Sequence, residues 1–221
     1  MTSSKLTDSK NCSRPENRSG DGSQIRTQQM RHMTMLARID ARIESDDLAA
    51  ARRLLNYLNK DDPENAFINE QIAATAELLQ DWQVLLRALT SLINNAQQDD
   101  EIDDLVFRCA QLLVEQLNRT NDAVTLIRDH FNAFINYPNS AQWAKEHLLG
   151  GPYRQVLLNI ARTHIVQPLE SPKNINVFNA LGTWYAARPD EYRSAFQWYR
   201  KTLRIMPGNP EAIDGLISLH Q

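Results

Sequence analysis

Residues 178–207, FNALGTWYAARPDEYRSAFQWYRKTLRIMP, contain two helical patterns on either side of the turn Arg188-Pro189-Asp190. Apolar residues recur three or four positions apart in each half, which is the spacing of one helix face. The segment Met206-Pro207-Gly208-Asn209 ends the second pattern, because proline and glycine are unfavourable inside a helix. The stretch therefore predicts two consecutive helices that pack as an antiparallel pair.

The same arrangement recurs along the rest of the chain from about residue 28. Helical pairs follow one another every ~32–39 residues, the range in which repeated helix pairs build solenoids. Acidic residues in the segment 45–47 and at Asp81 are suited to cap the second helices of the first two pairs. No stretch alternates with period two, so the chain is predicted to be all-α. The pairs occupy residues 35–58, 68–93, 102–135, 140–165 and 172–205, and a last helix follows from Pro210.

The fifth pair resembles a tetratricopeptide repeat. Its first helix has the motif residues Phe178, Leu181-Gly182 and Trp184-Tyr185, and its second has Tyr192, Ala195, Tyr199 and Pro207. The resemblance is strong in residues 172–208 and 45–65 and weaker elsewhere. It implies a right-handed α-solenoid of about five antiparallel helix pairs plus a C-terminal helix. It also implies a scaffold that binds a protein or peptide along a groove.

Composition separates a tail from this repeat region. Residues 1–26 contain few apolar side chains and carry a charge of +2, so they are predicted to be a disordered tail. Either a plain leader or a weakly basic interaction arm fits this composition. Residues 27–221 are predicted to form the repeat domain.

The overall composition is that of a globular protein: 221 residues, 42% hydrophobic and 23% charged, with a net charge of −3. No apolar run reaches the ~18 residues of a membrane helix, and the N-terminus has no signal-peptide core. Cys12 and Cys109 form no metal or redox pattern. We therefore expect a cytoplasmic protein without membrane insertion, and its net negative charge does not favour nucleic acid.

Candidate partner-binding residues lie on the helices of the fifth pair. Asn176, Asn179 and Thr183 share one face of its first helix, where their side chains suit an extended peptide backbone. Trp184 and Trp198 belong to an aromatic cluster that either packs the core or is exposed to a partner. Replacing Asn179 with alanine is expected to weaken partner binding without lowering the melting temperature.

No catalytic or metal-binding pattern is found in the sequence. His130, His147 and His164 are evenly spaced along the repeats and do not converge on one point, and the acidic residues 99–104 are suited to begin a helix. Cys109 lies on an apolar stripe and is predicted to be buried. Neither an enzyme nor a cofactor is expected.

Three functions remain open from the sequence. The first is a non-catalytic scaffold or adaptor that binds a protein or peptide partner through its groove. The second is a structural subunit that self-associates, or joins a larger assembly, through the helix after Asn209. The third is a nucleic-acid-associated module that uses the aromatic cluster of residues 178–204, whose flanking segment 188–204 has a charge of +3.

Overall fold

The computed structural model describes residues 21–61, 65–96 and 99–220, with the backbone alone described at 21–25 and 99–101. Within these ranges every regular element is helical and no β-strand occurs, which confirms the all-α prediction. No helix in the same ranges combines the length and the apolar character needed to cross a membrane. The α-helices are α1 (Asp21–Glu44), α2 (Leu48–Asp61), α3 (Ala66–Leu78), α4 (Trp82–Asn95), α5 (Asp99–Gln111), α6 (Thr120–Asp129), α7 (Phe131–Asn136), α8 (Ser140–His147), α9 (Arg154–Thr163), α10 (Ile175–Tyr185), α11 (Tyr192–Ile205) and α12 (Pro210–Ser218).

Three of the five predicted pairs form closely packed helical hairpins: α1 with α2, α3 with α4, and α10 with α11. Asp47 and Asp81 begin α2 and α4 as the sequence predicts. The Oδ1 atom of each accepts a hydrogen bond from the backbone N–H three residues later, at 3.1 and 3.3 Å. Asp46 and Gln80 adopt φ values of 60° and 55°, the left-handed conformation that ends a helix and reverses the chain.

The third and fourth predicted pairs are arranged differently. The helix predicted to end at residue 135 is divided at His130 into α6 and α7, and α5 packs mainly on α7. α8 and α9 were predicted to pair, but each packs more extensively on α10 than on the other. The ring of Trp143 in α8 packs on Phe107 and Phe134, at centroid distances of 5.5 and 6.2 Å. This short helix therefore packs on α5, α7 and α10 and leaves little of its apolar face for α9.

The first helix begins inside the segment predicted to be a tail. α1 starts at Asp21, so residues 21–26 are helical and the helical region begins six residues before the predicted boundary at residue 27. The remainder of the predicted tail, residues 1–20, lies outside the described residues. Further along α1, Ile39 is fully buried against the rest of the core, as its place in the apolar stripe predicts.

Tyr199 fixes the packing of α10, α11 and α12. Its ring lies between Gly182 of α10 and Gly215 of α12. A Cβ atom at Gly182 would lie 2.5 Å from Cε1 of the ring, and one at Gly215 would lie 2.3 Å from Cζ. Only glycine leaves room for the ring at these two positions, so the three helices meet at the closest distance that the tyrosine allows.

Candidate functional site

A polar groove of about 210 Å³ opens where α10 meets the turn between α7 and α8 and the start of α12. Five of its lining residues carry side-chain amides, and Thr183 and Glu211 complete most of its polar wall. Among the described residues that line the groove, Glu211 alone is charged. The amides belong to Asn136, Asn139, Gln142, Asn176 and Asn179.

Helical spacing places three of these side chains on one wall. Asn176, Asn179 and Thr183 are separated by three and four residues, so they share a face of α10. Trp184, on the adjacent side of α10, donates a hydrogen bond from its indole Nε1–H to the carbonyl oxygen of Ala141 in α8 at 2.9 Å. This bond fixes α8, and with it the facing wall, relative to α10.

The two exposed walls are connected through amides. Asn176 Nδ2 of α10 donates a hydrogen bond to Asn136 Oδ1, the last residue of α7, at 2.9 Å. Asn139 lies in the following turn with a φ of 64°, and its side chain does not cap α8. Because an amide has two N–H donors and a carbonyl acceptor, these exposed residues keep hydrogen-bonding capacity toward the groove.

Asn179 has a different role from its neighbours because it is buried, with 4% of its surface exposed. Its Nδ2 donates to Asn209 Oδ1 at 3.1 Å and to Glu211 Oε2 at 2.6 Å. Asn209 Oδ1 also accepts the backbone N–H of Ala212 and so caps α12. Both N–H donors of Asn179 are thus used to hold the start of α12, while its buried Oδ1 has no hydrogen-bond partner among the described residues.

Thr183 ends the wall and contacts the packing tyrosine. Its Oγ1 lies 3.2 Å from the hydroxyl of Tyr199. Burial raises the pKa of Tyr199 above its ordinary value of 10.0, the hydrogen bond to Thr183 acts in the opposite direction, and the charge of Glu211 raises the pKa further. The phenol is therefore neutral at physiological pH and is available to donate a hydrogen bond.

Of the five predicted partner-binding residues, the structure brings Asn176, Asn179 and Thr183 to the groove and excludes the two tryptophans from it. Trp184 is fully buried, so its prediction as a partner contact is corrected to a core residue that bonds α8. Trp198 is half-buried, and its ring centroid lies 5.4 Å from that of Phe178. Lys201 Nζ lies 3.7 Å from the ring centroid of Trp198. Because the Asn179 amide links α10 to α12, the structure leads us to expect that replacing Asn179 lowers stability as well as binding.

Sequence reasoning missed the other side of the groove. Asn136, Asn139 and Gln142 lie in the region where the repeat pattern is weak, and Glu211 lies at the start of the last helix. The segment Tyr137-Pro138-Asn139 is a clear turn signal in the sequence. That signal marks the end of a helix, but only the packing of α8 on α10 brings the turn against Asn176.

The described residues give little support for metal or thiol chemistry. No group of three or more histidine, cysteine, aspartate or glutamate residues in this part of the chain is arranged to hold a metal ion. Cys109 is buried, as predicted, and burial raises the pKa of its thiol to about 12. A thiol of this kind is a poor nucleophile at neutral pH, because the thiolate is the reactive form.

Comparison of the chain with models of known protein families and with curated proteins gave no match. The function is therefore inferred from the groove and from the surfaces of the described helices.

Proposed function

We propose that this protein is a non-catalytic adaptor that binds a short extended segment of a partner protein in the amide-lined groove. The observation that carries the proposal is the convergence of four exposed side-chain amides, from α7, the following turn, α8 and α10, around one opening, with the buried amide of Asn179 behind them. An extended peptide presents N–H and C=O groups alternately, and amide side chains are able to pair with both. We also propose that the packed hairpins are units of a tetratricopeptide-like array.

The size of the groove supports a peptide rather than a small-molecule ligand. Its volume of about 210 Å³ is below the ~300–1,000 Å³ of typical small-molecule sites. It is lined by the end of α7, the following turn, α10 and the starts of α8 and α12. About one or two residues of an extended segment fit a space equal to about seven waters, and the rest of the segment continues over the surface.

The charge of the groove favours a neutral or basic segment. The carboxylate of Glu211 is the single charge among the described lining residues, and it already accepts the Asn179 amide. A lysine, an arginine or an N-terminal ammonium group of the partner gains a favourable contact here. A C-terminal carboxylate is repelled, and no basic lining residue compensates for it in the described part of the groove.

The proposal is tested with a double variant that removes two exposed amides. A displayed peptide library is selected on the wild-type protein, and the affinity of the enriched peptide is measured by isothermal titration calorimetry. We expect N136A/N176A to weaken binding about tenfold, since two hydrogen bonds of about 0.5–1.5 kcal/mol each are lost.

A matched control is available on α9. Gln155 and Asn159 are also exposed and also share a 2.9 Å amide–amide hydrogen bond, but neither lines the groove. Q155A/N159A should bind the peptide like the wild type. Equal affinity of N136A/N176A and the wild type, or no enriched peptide at all, would count against the groove as the binding site.

A second function is supported by the outer face of α12. Ile213 and Ile217 are separated by one helical turn and are 38% and 55% exposed. Such a face suits a structural subunit that joins another copy or a larger assembly through its C-terminal helix. Light scattering tests this function: I213D/I217D should lower the mass of any assembly, and a monomeric wild type at high concentration would exclude self-association.

The third function, nucleic-acid binding by base stacking, is the least supported. Phe178, Trp184 and Tyr185 are buried, so their rings are not available to bases. Lys201 lies over Trp198 and Arg200 over Phe196, which covers one face of each of these rings.

A further inference from the structure

One face of α11 is exposed and carries a line of arginines. Four exposed residues share one side of α11, because the last three lie three, seven and eleven positions after the first: Arg193, Phe196, Arg200 and Arg204. The opposite side is buried against α10 and α12 through Ala195, Tyr199 and Thr202. None of the exposed residues lines the amide groove, so this face is a separate surface.

The charge of this face is unbalanced. The helix YRSAFQWYRKTLRI contains three arginines and one lysine and no acidic residue. Arg193, Arg200 and Arg204 form no ion pair with any residue that the structure describes. Burial lowers the pKa of Lys201, and repulsion from the nearby charge of Arg204 lowers it further.

Nearby acidic residues are mostly occupied elsewhere. Glu191, directly before α11, forms an ion pair with the buried Arg154 of α9. Glu211, at the start of α12, accepts the hydrogen bond from Asn179. Asp190 and Asp214 remain exposed, but two carboxylates do not balance four cations on α11. The protein has a net charge of −3, so this concentration of positive charge is local.

The rings on this helix favour a protein partner over single-stranded nucleic acid. The Arg200 guanidinium lies 5.7 Å from the centroid of Phe196, and Lys201 Nζ lies 3.7 Å from that of Trp198. Nucleic-acid sites that accept single strands combine positive charge with free aromatic faces, and here the cations occupy faces of both rings. Cations spaced by a helical repeat beside a phenylalanine instead match the surface of a second helix.

We propose that the exposed face of α11 binds an acidic amphipathic helix of a partner protein, at a site distinct from the amide groove. The partner helix carries three acidic residues, the second seven positions after the first and the third four positions after the second. These residues pair with Arg193, Arg200 and Arg204. An apolar side chain of the partner packs on the part of the Phe196 ring that Arg200 leaves uncovered, between the first two pairs. Charge complementarity sets the orientation of the two helices, and the interaction weakens as salt increases.

The experiment uses a fluorescein-labelled helical peptide of about 18 residues, long enough for three ion pairs along one face. It carries glutamates at positions separated by seven and four residues and a leucine three positions after the first. Fluorescence anisotropy at low salt should show binding to the full-length protein. Affinity should fall about tenfold or more for R193E/R200E/R204E, because three attractive pairs become repulsive.

A matched variant separates this face from general charge. R26E/R31E/R38E makes the same change in net charge at exposed arginines of α1 and should bind the peptide like the wild type. The triple glutamine variant R193Q/R200Q/R204Q should give an intermediate loss, and circular dichroism checks that each variant is folded. Equal weakening by the α1 variant would overturn the proposal, as would the absence of peptide binding to the wild type.

Two further probes complete the test. A peptide with lysines in place of the glutamates should not bind, whereas an oligothymidylate of similar length should bind more weakly than the acidic peptide. Tighter binding of the oligothymidylate, lost in R193E/R200E/R204E, would assign the face to nucleic acid and overturn the protein assignment. N136A/N176A should retain binding of the acidic helix, so failure of the groove and failure of this face are distinguishable.

Discussion

The side-chain amide of Asn179 donates a 2.6 Å hydrogen bond to the carboxylate of Glu211, joining the middle of α10 to the first turn of α12. The same amide bonds Asn209, which caps α12. One buried side chain thus holds together the α10 and α12 sides of the groove. The stability of the C-terminal helix and the shape of the groove are therefore coupled through Asn179.

Replacing Asn179 should affect stability as well as binding. N179A removes two hydrogen bonds and leaves Asn209 and Glu211 with fewer partners, which should lower the free energy of unfolding by about 1–3 kcal/mol. Chemical denaturation measures this loss, and N176A, at an exposed position one turn earlier, is the control. An unchanged unfolding midpoint for N179A would show that the link is not formed in solution.

An aspartate at this position should make stability depend on pH. N179D places a second carboxylate beside Glu211, so the pKa of one of the two is raised in the folded state. A carboxyl group whose pKa is raised by folding contributes stability at low pH, and this contribution is lost as the pH rises through the folded pKa. The stability of N179D should therefore be closer to that of the wild type near pH 4 than at pH 7. Melting temperatures measured across this range test the expectation. A constant difference from the wild type would contradict it.

The two glycines around Tyr199 should not tolerate a methyl group. G182A and G215A would place Cβ atoms 2.5 and 2.3 Å from the ring, so the ring or a helix must move. Overpacking lowers the free energy of unfolding by about 1–3 kcal/mol, and the higher helix propensity of alanine offsets about 1 kcal/mol of this loss. Both variants are therefore expected to be less stable than the wild type.

Thermal unfolding of these variants is compared with that of G150A. A methyl group at Gly150 would meet no atom within 4 Å, so this replacement should be nearly neutral. A melting temperature for G182A or G215A at or above that of the wild type would contradict the close packing of Tyr199.

Tyr199 should contribute to alkaline unfolding. Its pKa is raised above 10.0 by burial, so the stability that it contributes is complete below pH 10 and is lost as the pH rises through the higher folded value. Y199F should show a shallower loss of stability above pH 10 than the wild type. Identical slopes would indicate that the phenol is not buried.

Cys109 should be unreactive in the native protein. Its thiol has a pKa of about 12 and is almost inaccessible, so labelling by Ellman's reagent should require unfolding. The measurement uses C12S, because Cys12 lies outside the described residues and would otherwise contribute to the signal. Rapid labelling of C12S in buffer would contradict the buried position.

Local signals predict much of the fold. The spacing of a few residues along the chain predicts the helix caps at Asp47 and Asp81. It also predicts the helix face that Asn176, Asn179 and Thr183 share. These features depend on hydrogen bonds within one turn and on the period of a helix, which a sequence shows directly.

Long-range packing explains what the sequence does not predict. Trp184 is buried because α8, more than forty residues earlier, covers it and accepts its indole N–H through Ala141. Asn179 is buried because Glu211 and Asn209, about thirty residues later, lie against it. The sequence of α10 places Trp184 on the apolar stripe of Val177, Ala180 and Leu181, whereas nothing within α10 distinguishes Asn179 from an exposed asparagine.

The most direct test of the groove is NMR spectroscopy of the protein with ¹⁵N-labelled asparagine and glutamine side chains. On addition of the peptide selected from the displayed library, the side-chain amide signals of Asn136, Asn139, Gln142 and Asn176 should shift together. The signals of Gln155 and Asn159 on α9 should stay in place. Shifts confined to amides outside the groove would contradict the proposed function and assign the binding site to another surface.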